Sequence, residues 1–340
     1  PELHALAWER LHKPKQDVPA PLTAVAQTPF SRYTGLEIAE PTPIATRPIR
    51  MLIAIANPAD LADQGLPTID VEQEVATLTS ALSSLQSTGQ LHVTLLPGVS
   101  GLSATTQARL EAAGYAIHSG NTTLDTLIRE LSTAPGYHIL HFIGHGAFSR
   151  ARGTMTLFLE NDSGNTDRQK DANIVAPIAA LDPPPHLIFL DTCDSAKRDP
   201  AKGNPHASLA HKLVEAGVPA VVAMQDAVFM ETARELARNF YRNLLEHGIV
   251  DRAMSQARLL LYESGQTAWA IPALFMRLEN GQLFAADPVR STLRAMVQSG
   301  VFNPLSAGGA YLPLEVRHFS GHMHAVDFDA LIQENTPGRG

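Results

Sequence analysis

The chain has 340 residues, of which 44% are hydrophobic and 18% charged, and its formal net charge is −8. This composition excludes a disordered chain and is enough for one sizeable α/β domain. No stretch clusters Lys and Arg among aromatics, and no apolar run reaches the roughly 18–20 residues that span a bilayer, so neither nucleic acid nor membrane is an expected partner.

A single cysteine, Cys193, rules out an internal disulfide. With no signal-peptide pattern in view, this points to a reducing cytoplasm. By count alone the residue has three fates: a small buried filler, a nucleophile or a lone metal ligand. The start at Pro1 and the end at Gly340 suit a fragment of a longer polypeptide.

Residues 1–49 carry prolines at positions 14, 19, 21, 29, 41, 43 and 48. Apart from a short helical start near Leu3 to Leu11, they read as an extended lead-in or linker that wraps the main domain or joins something upstream. Residues 50–285 read as the main domain. Met51 to Ala56 is a buried strand bounded by Asn57-Pro58, and residues 70–87 place Val71, Val75, Leu78, Leu82 and Leu85 on one helix face. A strand follows at 92–96, a helix at 103–114, and another at 124–131 capped by Thr122 or Thr123. Tyr137 to Ile143 is a strand, after which the chain is expected to turn sharply at Gly144-His145-Gly146.

Thr154 to Glu160 alternates like a hairpin strand, and 161–173 is a polar loop. His186 to Leu190 is a second central strand, ending in Asp191-Thr192-Cys193-Asp194-Ser195, and 196–205 is a loop. A helix at 207–216 leads to a strand at 220–224. Helices follow near 230–247 and 250–263, then a strand at 272–277. Strands alternating with helices predict a mostly parallel central sheet with helices on both faces. Residues 286–340 read as a loop-rich extension with a short helix at 288–298.

Functional groups of open α/β sheets collect at the carboxyl ends of the strands. His145 and Cys193 each follow such an end, so adjacent parallel strands would bring them to one rim. A thiol–imidazole pair needs that geometry: the histidine takes the thiol proton and later protonates a leaving amine. Gly144 and Gly146 fit a tight turn, and backbone at Gly144 or beside Cys193 would help bind an oxyanion.

The segment Leu140-His141-Phe142-Ile143-Gly144-His145-Gly146 resembles the histidine motif of CHAT domains, members of the caspase and separase clan. Leu190-Asp191-Thr192-Cys193-Asp194-Ser195 is similar to the matching cysteine motif. Ala216 to Ala223 and Trp269-Ala270-Ile271-Pro272-Ala273 resemble two later family segments, in order. The resemblance covers roughly residues 50–285. It implies a caspase-like fold and peptide-bond cleavage through an acyl-enzyme on Cys193, with no metal or other cofactor. Where such domains often carry tryptophan this chain has Gln225, in a segment that usually shapes the substrate groove.

Asp191 lies two residues before Cys193, on the same strand face. Related metacaspases use an acid there to accept Arg or Lys, so the resemblance implies cleavage after a basic residue. Asp191 would be the recognition acid, Asp226 a possible second and Gln225 part of the groove; the alternative for Asp191 is a backbone contact at the strand end. Asp194 is read as structural, near the oxyanion turn. Lys197-Arg198 and Arg168 with Lys170 are basic residues in expected loops, open to self-cleavage or simply solvated. His318, His322 and His324 have only a superficial look of metal ligands, and His138 and His141 read as packed or hydrogen-bonded.

The expected function is cleavage of a specific protein partner in bacterial signalling or defence, controlled by a sensor or regulator in cis or in trans. The rivals are an idle CHAT interaction module and a cysteine hydrolase or acyltransferase working on a non-peptide substrate.

Overall fold

The computed structural model describes residues 7–12, 21–25, 28–35, 41–149, 154–194, 207–226 and 228–285, with backbone alone at Cys193, Asp194, Ala207 and Ser208. In chain order the elements are β1 (Arg32–Tyr33), β2 (Ile49–Ile55), α1 (Val71–Ser87), β3 (Leu91–Leu96), α2 (Ala104–Ala112), β4 (Ala116–Ile117), α3 (Leu124–Ser132), β5 (Ile139–Ser149), β6 (Thr154–Glu160), β7 (Thr166–Lys170), α4 (Asp171–Ala179), β8 (Leu187–Asp194), α5 (Ala207–Glu215), β9 (Ala220–Met224), α6 (Met230–His247), α7 (Val250–Glu263) and β10 (Pro272–Met276).

Among the described residues the strands form one sheet in the order β1-β10-β9-β8-β5-β2-β3-β4, and β6 and β7 extend it as a hairpin branching from β5. The pairs β9–β8, β8–β5, β5–β2, β2–β3 and β3–β4 are parallel, while β10–β9, β5–β6 and β6–β7 are antiparallel. The mostly parallel sheet expected from the sequence is present.

Strand alternation divides the core into two layers. Met51, Ile53 and Ile55 of β2 pack with Val75, Leu78 and Leu82 of α1 and with Phe240 and Ala257 of α6 and α7. Leu52 and Ala54 face the other way, onto Leu127 and Leu131 of α3, Ile178 of α4 and Leu213 of α5. Residues 51–56 are wholly buried, which is why β2 reads as an unbroken apolar run rather than an alternating one. Each large aliphatic side chain removed from water there contributes about 1.5–3 kcal/mol.

Helix starts follow their caps. Asp70 accepts from Gln73 N–H, Ser103 from Thr106 N–H and Thr123 from Thr126 N–H, each satisfying one of the unpaired amides of a first turn. Thr122, the other candidate cap for α3, instead donates its hydroxyl to Ile55 O.

The structure corrects three element readings. β5 does not turn at Gly144-His145-Gly146; it runs on to Ser149, paired with β8 on one side and β6 on the other. Neither glycine has positive φ, so what they supply is space. A Cβ on Gly144 would lie 2.9 Å from the Phe142 ring, and one on Gly146 would collide with the Met155 methyl. The stretch 161–173 is not a plain loop, because β7 and the start of α4 lie in it. Arg168 and Lys170 therefore sit in a strand, with Arg168 bonded to Gln64 Oε1 at 2.5 Å and lying over the Phe158 ring. Near Leu3 to Leu11, the described part is a 3-10 turn at Trp8–Arg10.

Part of the proline-rich lead-in packs against the sheet. Glu9 is fully buried and forms a two-pronged pair with Arg32 at 2.9 and 2.7 Å. Fully buried Arg258 donates to Pro272 O at 2.7 Å and lies over the ring of Phe30. The helix expected at 288–298 lies outside the described residues.

Candidate active site

The chain passes from β2 to β3 on one side and returns to β5 on the other, so the strand order reverses between β2 and β5. Such a reversal opens a crevice at the carboxyl ends of the strands, the usual ligand site of an open α/β sheet. His145 lies on β5 beside this crevice. Its Nε2 lies 2.8 Å from the carbonyl of Pro67, in the loop between β2 and α1. A carbonyl only accepts, so Nε2 carries the proton, and in the neutral ring Nδ1 is then the basic nitrogen. The ring is buried, 2% exposed.

Cys193 lies on β8, the strand next to β5. The parallel register makes His145 and Cys193 direct Cα partners, with Ile143 opposite Asp191, Gly144 opposite Thr192 and Gly146 opposite Asp194. Adjacent strands lie about 4.8 Å apart, so the two backbone positions stand side by side at one rim. Gly144, Gly146 and Asp194 belong to this paired segment.

Asp191 is 4% exposed, one layer below the rim. Burial pushes its carboxyl from the ordinary 3.8 up to about 8; Glu74 adds to the rise and Arg234 opposes it. Glu74 of α1 accepts from Arg234 Nε of α6 at 2.8 Å. The neighbourhood thus holds two carboxyls and one guanidinium.

The same layer holds His141, whose Nδ1 lies 2.9 Å from the Tyr241 hydroxyl and whose ring packs on Phe189. Burial lowers its pKa to about 3, so it stays neutral. His138 accepts Arg50 N–H at 3.0 Å, and burial, with Arg50 next in weight, takes it down to about 4. Both are packed and bonded, as expected of them.

Gln225 and Asp226 follow β9, the next parallel strand along the rim. The Gln225 side-chain oxygen accepts from Arg32 Nη2 at 2.9 Å, and its backbone N–H donates to Ile271 O at 3.0 Å. Gln225 therefore ties the Glu9–Arg32 pair to the rim. Asp226 is half-buried beside it. Lys197-Arg198, His318, His322 and His324 lie outside the described residues. Among the described residues no group of three or more His, Cys, Asp or Glu is arranged to hold a metal ion, and no helix is long and apolar enough to cross a membrane.

The Pro67 carbonyl was not found by sequence reasoning, since a backbone acceptor leaves no residue signature. The one local signal was Asn57-Pro58, which reads only as the end of a strand.

Fold and rim together define an α/β protein of the caspase-like class. The family model of the CHAT domain matches residues 1–300, and the chain belongs to that family. No curated protein matches it. Among solved structures it is similar to the Arg specific cysteine proteinase gingipain R (RgpB), at 13% identity and a TM-score of 0.39, over 71% of this chain and 49% of that one. It is likewise similar to the complex of the pro- and mature domains of RgpB from Porphyromonas gingivalis, at 13% identity and a TM-score of 0.38, over 72% and 51%. The chain spans about half the length of the gingipain chains it matches.

Proposed function

We propose that the chain is a cysteine endopeptidase in which His145 and Cys193 form the catalytic dyad. The observation that carries this reading is the register pairing of the two residues on β5 and β8, beside the strand-order reversal between β5 and β2. The Nε2–H···O=C bond to Pro67 supports it, because it leaves Nδ1 as the proton acceptor. In the first step Nδ1 takes the Cys193 thiol proton and the sulfur attacks the scissile carbonyl carbon. The tetrahedral adduct collapses to a thioester as His145 returns the proton to the leaving amine. Water, deprotonated by the same ring, then hydrolyses the thioester and restores the thiol. Backbone N–H groups around Gly146 and Cys193 are the donors for the oxyanion.

The residue before the scissile bond is basic in this reading. Glu74 is paired with Arg234, which leaves the Asp191 carboxyl, held protonated up to about pH 8, as the acid open to an incoming cation. An incoming guanidinium or ammonium completes the set, and a carboxylate–guanidinium pair adds directional hydrogen bonds. A specific protein is the substrate.

The test is a fluorogenic peptide panel that varies this residue, run on wild type and Cys193→Ala. Turnover after Arg or Lys, lost in the variant, is the expected result. Turnover after another residue keeps the dyad and discards the Asp191 pocket. No turnover of any peptide favours the interaction module.

A further inference from the structure

The carbonyl that orients His145 sits near the end of a loop, and that loop is closed on itself by one side chain. Asn57 leaves β2 with its amide buried. Its Oδ1 accepts Ile69 N–H at 2.9 Å, and its Nδ2 donates to Ile69 O at 3.2 Å and to Ser100 Oγ at 2.8 Å. Both backbone groups of Ile69 are thus held by a residue twelve positions earlier. Pro67, two residues before Ile69, presents its carbonyl to His145 Nε2.

Asn57 is itself fixed from below. Its backbone N–H donates to Glu160 Oε1 at 2.9 Å, and the second oxygen of this fully buried carboxylate accepts Val99 N–H at 2.9 Å and Thr122 N–H at 2.7 Å. Glu160 ends β6, the strand on which Phe158 is the register partner of His145. The middle of the loop is fastened to the same hairpin. Asp60 accepts Thr166 N–H and Oγ–H, both at 2.7 Å, and Leu61 and Leu66 pack on Phe158. His145 and the carbonyl that holds it are therefore mounted on one frame.

We infer that Asn57 is a positioning residue for His145, acting through the clamp on Ile69 that sets the Pro67 carbonyl. The inference rests on the dyad proposed above and adds a residue to it. Catalytic groups need placement to within about 0.5 Å, and such precision comes from supporting side chains whose own bonds are complete. The Asn57 amide completes three bonds where only a side chain with both donor and acceptor ends fits. Its loss frees the carboxyl end of the loop, and Nε2–H loses a fixed acceptor.

The test uses the full chain with 15N-labelled histidine rings, the His145 signals being assigned by their loss in His145→Gln. The wild-type ring should be protonated at Nε2. In Asn57→Ala, and in Asn57→Asp, which keeps an acceptor for Ile69 N–H but loses both amide donations, the Nδ1–H tautomer should become populated. Peptide turnover should show kcat lower by about ten- to a hundredfold, with KM within about twofold of wild type. A merely structural role predicts lost protein yield or melting temperature and an unchanged ring. If Asn57→Ala does not fold, Asn57→Asp decides. Wild-type ring signals in a folded variant overturn the inference. The ring measurement needs no substrate: a wild type that hydrolyses no peptide, yet changes tautomer in Asn57→Asp, would sink the peptidase reading and keep this one.

Discussion

His145 and Cys193 are Cα register partners on β5 and β8, while His145 Nε2 is bonded to Pro67 in the loop that follows β2. Two neighbouring strands, β5 and β8, and the loop that follows β2 therefore meet at one residue. The order of these strands places the fold's reversal beneath the histidine. The chemistry proposed for the site follows from that placement and from the single cysteine in the chain.

A basic side chain entering beside Asp191 should release a proton. The free carboxyl is held up to about 8, mainly by burial, so at pH 6 it is almost wholly protonated. Pairing with a cation requires the carboxylate. The Kd of an arginine-containing peptide for Cys193→Ala protein should fall by up to about tenfold per unit from pH 6 to 8, then level off. Asp191→Asn should flatten the profile and weaken binding at pH 8 by about 10- to 100-fold. Calorimetry in buffers of different ionisation heat reads both the affinity and the proton. A pH-independent Kd in the parent would remove Asp191 from the pocket.

Asp191, His141 and His138 together favour the fold most near pH 6.5. Between about 4 and 8 the folded Asp191 keeps a proton that the unfolded chain has lost, so this residue lowers stability as pH rises through that window. His141 and His138 act in the opposite direction. Their folded values of about 3 and about 4 lie below the ordinary 6.5, so the unfolded chain takes up protons first as pH falls. Two histidines outweigh one aspartate below 6.5, and above it the aspartate acts alone of the three. Thermal unfolding of Asp191→Asn should show a shallower decline between pH 6.5 and 8 than wild type and keep the acid limb. An unchanged decline would mean that Asp191 ionises normally.

Arg32→Ala should cost about 3–5 kcal/mol, because it leaves the fully buried Glu9 without its nearest partner. Urea denaturation measures this directly. The result would make the lead-in part of the folding unit; a change under about 1 kcal/mol would make it a loosely attached strap.

The sequence carried the central strands because both their faces are buried, which turns β2, β8 and β9 into apolar runs. It carried α6 and α7 to their first and last residues. β7 was lost because Thr166–Lys170 contains no apolar residue; the strand pairs with β6 alone and its side chains are only half-buried or exposed. α4 was lost because it starts from a buried Asp171, held by Lys212 at 2.7 Å, and contains Pro177. At the site, the sequence places His145 and Cys193 just past two strands, whereas both lie within β5 and β8 as register partners. Gly144 and Gly146 form no turn: the backbone is extended, and Phe142 and Met155 leave no room for a Cβ there. The Pro67 carbonyl and the Asn57 clamp belong to a loop whose form depends on what it packs against, and period and propensity do not encode that.

The central claim is the dyad, and covalent labelling tests it most directly. A peptidyl-arginine chloromethyl ketone is incubated with the full chain, and the modified residue is located by mass spectrometry. One adduct should form, on Cys193, and a competing arginine peptide should slow it. His145→Gln should form it at least about a hundredfold more slowly, and Cys193→Ala should form none. Labelling at the same rate in His145→Gln, or no protection by the peptide, would show an ordinary thiol and contradict the account.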